Sequence, residues 1–155
     1  MLTFDETVLM CVLNRLPVWK RVAFAAACAE RLRPAYLSFS SRMARGSPRE
    51  FEEILNCLWS DLDGSNTPGD EAEASIERCM SLIPREDDEP WDESQVYAEN
   101  AGTALSYALR CRQNGDSQEA AWAARHVYEA LDHYVIEHGE DMPEVRNWRW
   151  ITAKS

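Results

Sequence analysis

The chain has 155 residues, is 45% hydrophobic, and carries 27 acids against 16 basic residues for a formal net charge of −11. A chain of this size buries about 70% of its unfolded surface, which fits one domain spanning residues 1–155 and excludes a globally disordered chain. Residues 1–49 hold eight Arg/Lys against three acids, whereas residues 50–99 hold sixteen acids against two arginines, so the middle third repels nucleic acid and anionic membrane and favours basic partners.

The first apolar stretch follows Asp5 and Glu6 with no basic run before it, so no signal peptide is expected. Leu9, Val12, Leu13 and Leu16 recur at helical spacing until Pro17. From Val18 to Arg33 the stripe Val22, Ala25, Ala26, Ala29 and Leu32 is flanked by Trp19, Phe24 and Cys28, so this helix is apolar nearly all round and belongs in the middle of a bundle. Pro34 is expected to start a separate short helix through Tyr36, Leu37, Phe39 and Met43, closed by Gly46. Ser47-Pro48-Arg49-Glu50 reads as a helix start: Ser47 caps, Pro48 takes the first helical position, and Glu50 completes a capping box. Phe51, Ile54, Leu55, Leu58, Trp59 and Leu62 then form a clean amphipathic stripe, and Trp19, Phe24, Phe51, Leu55, Leu58 and Trp59 are expected to share one core.

Asp63 to Gly69 is a loop by composition. A helix from about Asp70 to Ile83 turns Ile76, Cys79, Met80 and Ile83 inward and Glu71, Glu73 and Glu77 outward. Pro84 to Trp91 is a second loop with the densest run of acids, Glu86, Asp87, Asp88 and Glu89, followed by Asp92 and Glu93. The next helix, about Glu93 to Asn114, has Tyr97, Ala101, Ala104, Leu105 and Ala108 on its inner face. Gly115 suits a left-handed cap, and Asp116 with Glu119 a second capping box. The last long helix, to about His138, buries Ala120, Ala124, Val127, Leu131, Tyr134 and Val135. The remainder, with Pro143, Trp148 and Trp150, is a short turn or docked tail. The fold class is therefore all-α, a single-domain bundle of about six or seven helices.

At Arg15-Leu16, Trp19, Val22-Ala23-Phe24, Cys28-Ala29-Glu30-Arg31, Pro34 and Tyr36 the chain resembles the YjaG-like family of bacterial proteins, a domain of unknown function. The resemblance continues through Ile54-Leu55 with Trp59, Ile83-Pro84 with Asp87-Asp88, and the alanine-rich helix near Tyr97, and covers most of residues 15–150. It implies an all-helical fold and brings no catalytic residues with it. The chain ends soon after Trp148 and Trp150, where members of that family go on into a further helix, which suggests a shortened, acidic variant put to a different use.

No constellation in the sequence writes a reaction. His126 and His133 share a helical face with Glu129, but zinc needs a third and fourth ligand, and His138 lies further along. Asp61, Asp63, Gly64 and Asn66 fail as a calcium loop, because Gly64 comes two places early and Ala72 replaces the bidentate acid. No Gly-x-Ser-x-Gly turn and no glycine-rich phosphate loop is present. The five cysteines, Cys11, Cys28, Cys57, Cys79 and Cys111, sit singly in apolar helical stretches, which fits buried free thiols in a reducing cytoplasm. No apolar run approaches the roughly 20 residues of a membrane span. The chain is therefore expected to be cytoplasmic and non-enzymatic, with no cofactor or metal.

Arg15, Lys20, Arg21, Arg31, Arg33, Arg42, Arg45 and Arg49 make the first third basic, and are expected to neutralise acidic helices within the molecule or across a dimer. The candidate partner surface is Glu71, Glu73, Glu77, Glu86, Asp87, Asp88, Glu89, Trp91, Asp92 and Glu93, with Trp91 as the apolar anchor that interfaces favour. The expected function is an acidic protein-interaction module. Its sharpest form is a bacterial immunity protein that occludes a basic toxin domain. The alternative is a housekeeping helical bundle, a homodimer whose basic and acidic faces pair.

Overall fold

In the computed structural model, which describes residues 3–63, 71–88 and 90–139, the periodic segments become six helices and no strand among the described residues. They are α1 (Glu6–Asn14), α2 (Val18–Met43), α3 (Pro48–Leu62), α4 (Glu71–Leu82), α5 (Ser94–Asn114) and α6 (Ser117–His138). The all-α class expected from the periodicity is the fold observed. The ends of α1, α3 and α5 fall close to where the caps and prolines put them. Residues Gly64–Asp70, Glu89 and the tail with Pro143, Trp148 and Trp150 lie outside the described residues.

The two central helices, α2 and α5, pack against each other, and α6 covers both. Their shared faces are small: Ala25, Ala26 and Ala29 of α2, Ala98, Ala101, Ala104 and Ala108 of α5, and Ala120, Ala121 and Ala123 of α6 are fully buried. Side chains this short let helix backbones approach at the near end of the usual 8–10 Å range. The larger core residues, Tyr36, Phe39, Phe51, Leu55, Leu58, Leu105 and Leu109, fill the space where α3 and α5 meet α2.

Pro34 does not start a new helix; α2 runs through it as one rod of 26 residues, about 39 Å long. A helix-interior proline costs about 3 kcal/mol. Leu32 before it and Tyr36 and Phe39 after it are buried in the same core, and burial of side chains that size, at about 1.5–3 kcal/mol each, outweighs the lost hydrogen bond. The helix stops instead at Ala44, in the left-handed region at φ 52°.

Tyr36 then organises the turn that follows. Its hydroxyl donates to Leu82 O (3.0 Å) and accepts from Ser47 N (3.3 Å), and its ring stacks on Phe51. Gly46 sits at φ 73°, and a Cβ there would lie 2.5 Å from the tyrosine oxygen, so glycine is required on both counts. Ser47 caps α3 by accepting from Glu50 N, but the capping box stays half-made. The Ser47 N–H belongs to Tyr36, and the Glu50 carboxylate is drawn to Arg78 of α4 at 2.9 Å. The second box is also half-made: Asp116 accepts from Gln118 N, while Glu119 takes Asn114 Nδ2. Gly115 is the left-handed cap of α5, at φ 70°.

The expected core is corrected at one end. Phe51, Leu55 and Leu58 are buried, and Phe24 and Trp59 are half-buried against them, but Trp19 is 57% exposed. It lies in the first turn of α2, where the chain bends at Pro17, with Lys20 Nζ 5.4 Å from its ring centre. Met80, expected inward, is exposed on α4. All five cysteines are free thiols, but only Cys28, Cys79 and Cys111 are buried, whereas Cys11 and Cys57 are exposed. No helix among the described residues is long and apolar enough to cross a membrane.

Candidate functional site

The acidic loop leaves α4 just after Leu82, whose carbonyl is held by Tyr36. Pro84 is buried, and the chain then turns outward. Asp88 closes that turn: its backbone N donates to Arg85 O (3.0 Å), and its carboxylate accepts from Arg85 N (2.9 Å). Glu86 and Asp87 at the tip are exposed, and Trp91 is 59% exposed.

The far side of the loop is tied inward by three residues. Asp92 Oδ1 accepts from Ser94 N (3.0 Å) and Ser94 Oγ (2.5 Å), and its other oxygen faces Arg42 Nε at 3.3 Å. Those serine hydrogen bonds, then the arginine, hold the Asp92 carboxyl below its ordinary range. Arg45 donates to Pro90 O (3.0 Å) and to Gln95 Oε1 (3.2 Å). Gln95, fully buried, donates through Nε2 to Arg85 O and to Glu99 Oε1. The two ends of the loop therefore share one amide side chain, itself held by Arg45, just past the end of α2.

Burial and acidic crowding both act on Glu99. Its carboxyl is pushed up, first by burial and then by the negative charges of Glu86 and Asp88, with Gln95 opposing. These three carboxylates therefore share one local field.

The structure sorts the expected surface residues into groups. Glu86, Asp87 and Trp91 are presented to solvent. Asp88 and Asp92 are occupied in holding the loop. Glu93 points to α6, with Oε1 3.3 Å from His138 Nε2 and 4.0 Å from His133 Nε2. Glu73 and Glu77 are exposed on α4, set back from the loop along the helix. The side chain of Glu71 and all of Glu89 lie outside the described residues.

The family can now be read from the whole chain. A model of the DUF416 family, described as a protein family of unknown function, matches residues 10–145. The chain belongs to that family. The fold agrees: the crystal structure of a DUF416 family protein from Shewanella baltica OS155 superposes with a TM-score of 0.71. The alignment covers 93% of this chain and 73% of that one at 22% identity. No protein of curated function matches the sequence.

The other candidates resolve into structural partnerships. His126 Nδ1 lies 2.8 Å from Asn100 Oδ1, and burial pushes its pKa down. His133 packs edge-on against Tyr97 instead of joining His126 and Glu129. Among the described residues, no three His, Cys, Asp or Glu side chains are grouped to hold a metal ion. Asp61 of the calcium-like sequence is the partner of Arg112 in a largely buried ion pair. Burial pushes the Cys28 and Cys79 thiols up to about 12, which keeps them protonated and unreactive.

Sequence reasoning missed Gln95. Its signal was there: Gln95, Ala98, Gly102 and Leu105 follow one another at spacings of three and four, which puts a polar amide on the buried stripe of α5. Of the basic first third, Arg33, Arg42 and Arg49 pair with acids of the middle, Glu52, Asp92 and Glu53, whereas Arg21 and Arg45 hold carbonyl and amide oxygens instead.

Proposed function

We propose that this chain is a non-enzymatic, acidic protein-interaction module whose contact surface is the loop bearing Glu86, Asp87 and Trp91. The observation that carries this reading is the division of labour in the loop. Asp88, Asp92 and Gln95 fix the backbone through internal hydrogen bonds, which leaves an exposed tryptophan beside two acids with no ion pair among the described residues, on a held frame. A large aromatic beside complementary charge is the composition that interface centres favour. The partner is a basic protein, and occlusion of a basic toxin domain by an immunity protein is the sharpest form of the proposal. In that form acids of the loop pair with Lys/Arg that otherwise hold phosphates. The test is binding to the purified product of a neighbouring gene of basic composition at low and high salt. Salt-sensitive association supports the reading. Failure to bind any such product, at either salt, removes its basis.

A second reading, a homodimeric helical bundle, is favoured by a different region. Val8 and Val12 on α1 and Val18 and Trp19 in the first turn of α2 are exposed apolar side chains. Sizing chromatography separates the cases. A dimer that persists in high salt packs through these apolar side chains, and one that dissociates pairs its charged faces.

A further inference from the structure

The chain leaves α6 at the foot of the acidic loop. His138, the last residue of α6, places Nε2 3.3 Å from Glu93 Oε1, and Glu93 comes two residues after the exposed Trp91. Glu137 is also exposed here, and its charge acts on Tyr97 together with that of Glu93. Residues 140–155 then follow in the sequence, with their charges sorted. Glu140, Asp141 and Glu144 all precede Val145, whereas Arg146, Arg149 and Lys154 all come after it, among Trp148, Trp150 and Ile151. The stretch 145–155 is thus basic and aromatic, the complement of a loop that presents two acids and a tryptophan.

We infer that residues 145–155 dock on the acidic loop of their own chain, with arginines against Glu86 and Asp87 and indoles against Trp91. The reach is sufficient. From Glu93 back to Glu86 the chain spans at most about 25 Å, and it turns at Asp88, whereas the ten residues from Gly139 to Arg149 extend to about 35 Å. The charges select this surface over others. Glu50, Glu52, Glu53 and Glu129 already face arginines, while the exposed Glu86 and Asp87 have no ion pair among the described residues. Arginine against an indole face adds a cation–π attraction, and indole against indole buries apolar area on both sides. A short tether keeps the local concentration of the segment in the millimolar range, so individually weak contacts suffice. The inference rests on the reading of this loop as a contact surface and adds its regulation: a basic partner has to displace the chain's own segment.

The test uses the full chain with no partner present. Proton–nitrogen NMR follows the Trp91 indole N–H, assigned through Trp91→Phe, and the amides of Glu86 and Asp87 in low and high salt. In the wild type these signals are expected to shift with salt, as screening releases the segment, and to hold their positions on dilution. Arg146→Glu/Arg149→Glu is expected to abolish the shift while the Ala101 and Ala104 amides of the core stay in place. Adding Glu86→Lys/Asp87→Lys to that variant swaps the charges and is expected to restore the salt-dependent shift of the Trp91 indole. Loop signals that coincide in the wild type and the tail variant, or a charge swap that restores nothing, overturn the inference. So do positions that change on dilution, which would mean that a second copy supplies the contact. Such a failure leaves the loop open to a basic protein, and a failed search for that protein leaves the contact within the chain measurable, so the two readings fall separately.

Discussion

At the N-terminal end of α2, Arg21 donates to three main-chain carbonyls, those of Leu13, Asn14 and Gly115. At the other end, Arg42 and Arg45 reach a carboxylate, a carbonyl and an amide around one loop. Each end also exposes a tryptophan to nearly the same extent. The two ends differ in what the arginines hold. Arg21 holds carbonyls at the C-terminal ends of α1 and α5, groups that every helix end must pair somewhere; Leu13 O also accepts from Leu16 N, whereas Asn14 O and Gly115 O take Arg21, so the elbow at Pro17 is closed architecture. Arg42 and Arg45 fix a loop whose tip acids, Glu86 and Asp87, have no ion pair among the described residues, so that end is framed and left open. An exposed tryptophan alone therefore says little, and the pairing of its neighbours says more.

Substitutions at the two ends of α2 separate what each holds. The scale is set by Leu58→Ala in the core they share, expected to cost about 2–5 kcal/mol in urea unfolding; a cost near zero would mean that the α3 stripe faces outward. Arg21→Ala should follow at about 2–3 kcal/mol, because carbonyls from two helix ends lose their donor. Gln95→Ala should cost about 1–3 kcal/mol, and should also raise the proteolytic sensitivity of the loop while leaving the elbow intact. If Arg21→Ala loosens the loop as much as Gln95→Ala does, the two ends are not independent.

The smallest effect should be an increase in stability. The folded Glu99 carboxyl is harder to ionise than the unfolded one, so its charge opposes folding at neutral pH and that penalty disappears once pH falls below the ordinary glutamate range. Glu99→Gln should therefore raise the urea midpoint at pH 7 and match the wild type near pH 3. A lower midpoint at pH 7 would show that the Gln95 hydrogen bond outweighs burial and crowding.

Much of this architecture was legible in the residues. Ser47-Pro48 and Gly115 mark helix ends because local chemistry decides a cap, and the Phe51–Leu62 stripe marks a face because period decides burial. Pro34 misled for the reason that tertiary burial overrode a local rule. Trp19 misled because apolar character does not reveal that a helix end overhangs its neighbours. In the candidate site, composition located Glu86, Asp87 and Trp91, but could not separate them from Asp88, Asp92 and Glu93. Asp88 and Asp92 are set apart in part by local contacts with Arg85 and Ser94, but the assignments of Asp92 and Glu93 also depend on Arg42 and His138, residues distant in sequence that only folding brings to the loop.

The most direct test of the central claim compares the binding kinetics of the wild type, Glu86→Lys/Asp87→Lys and Trp91→Ala toward a purified basic partner in low and high salt. The double charge reversal is expected to slow association at low salt, with the difference fading as screening grows, and Trp91→Ala to accelerate dissociation at either salt. Rates unchanged in both variants, with circular dichroism and unfolding midpoints as in the wild type, would contradict it and place the contact surface elsewhere.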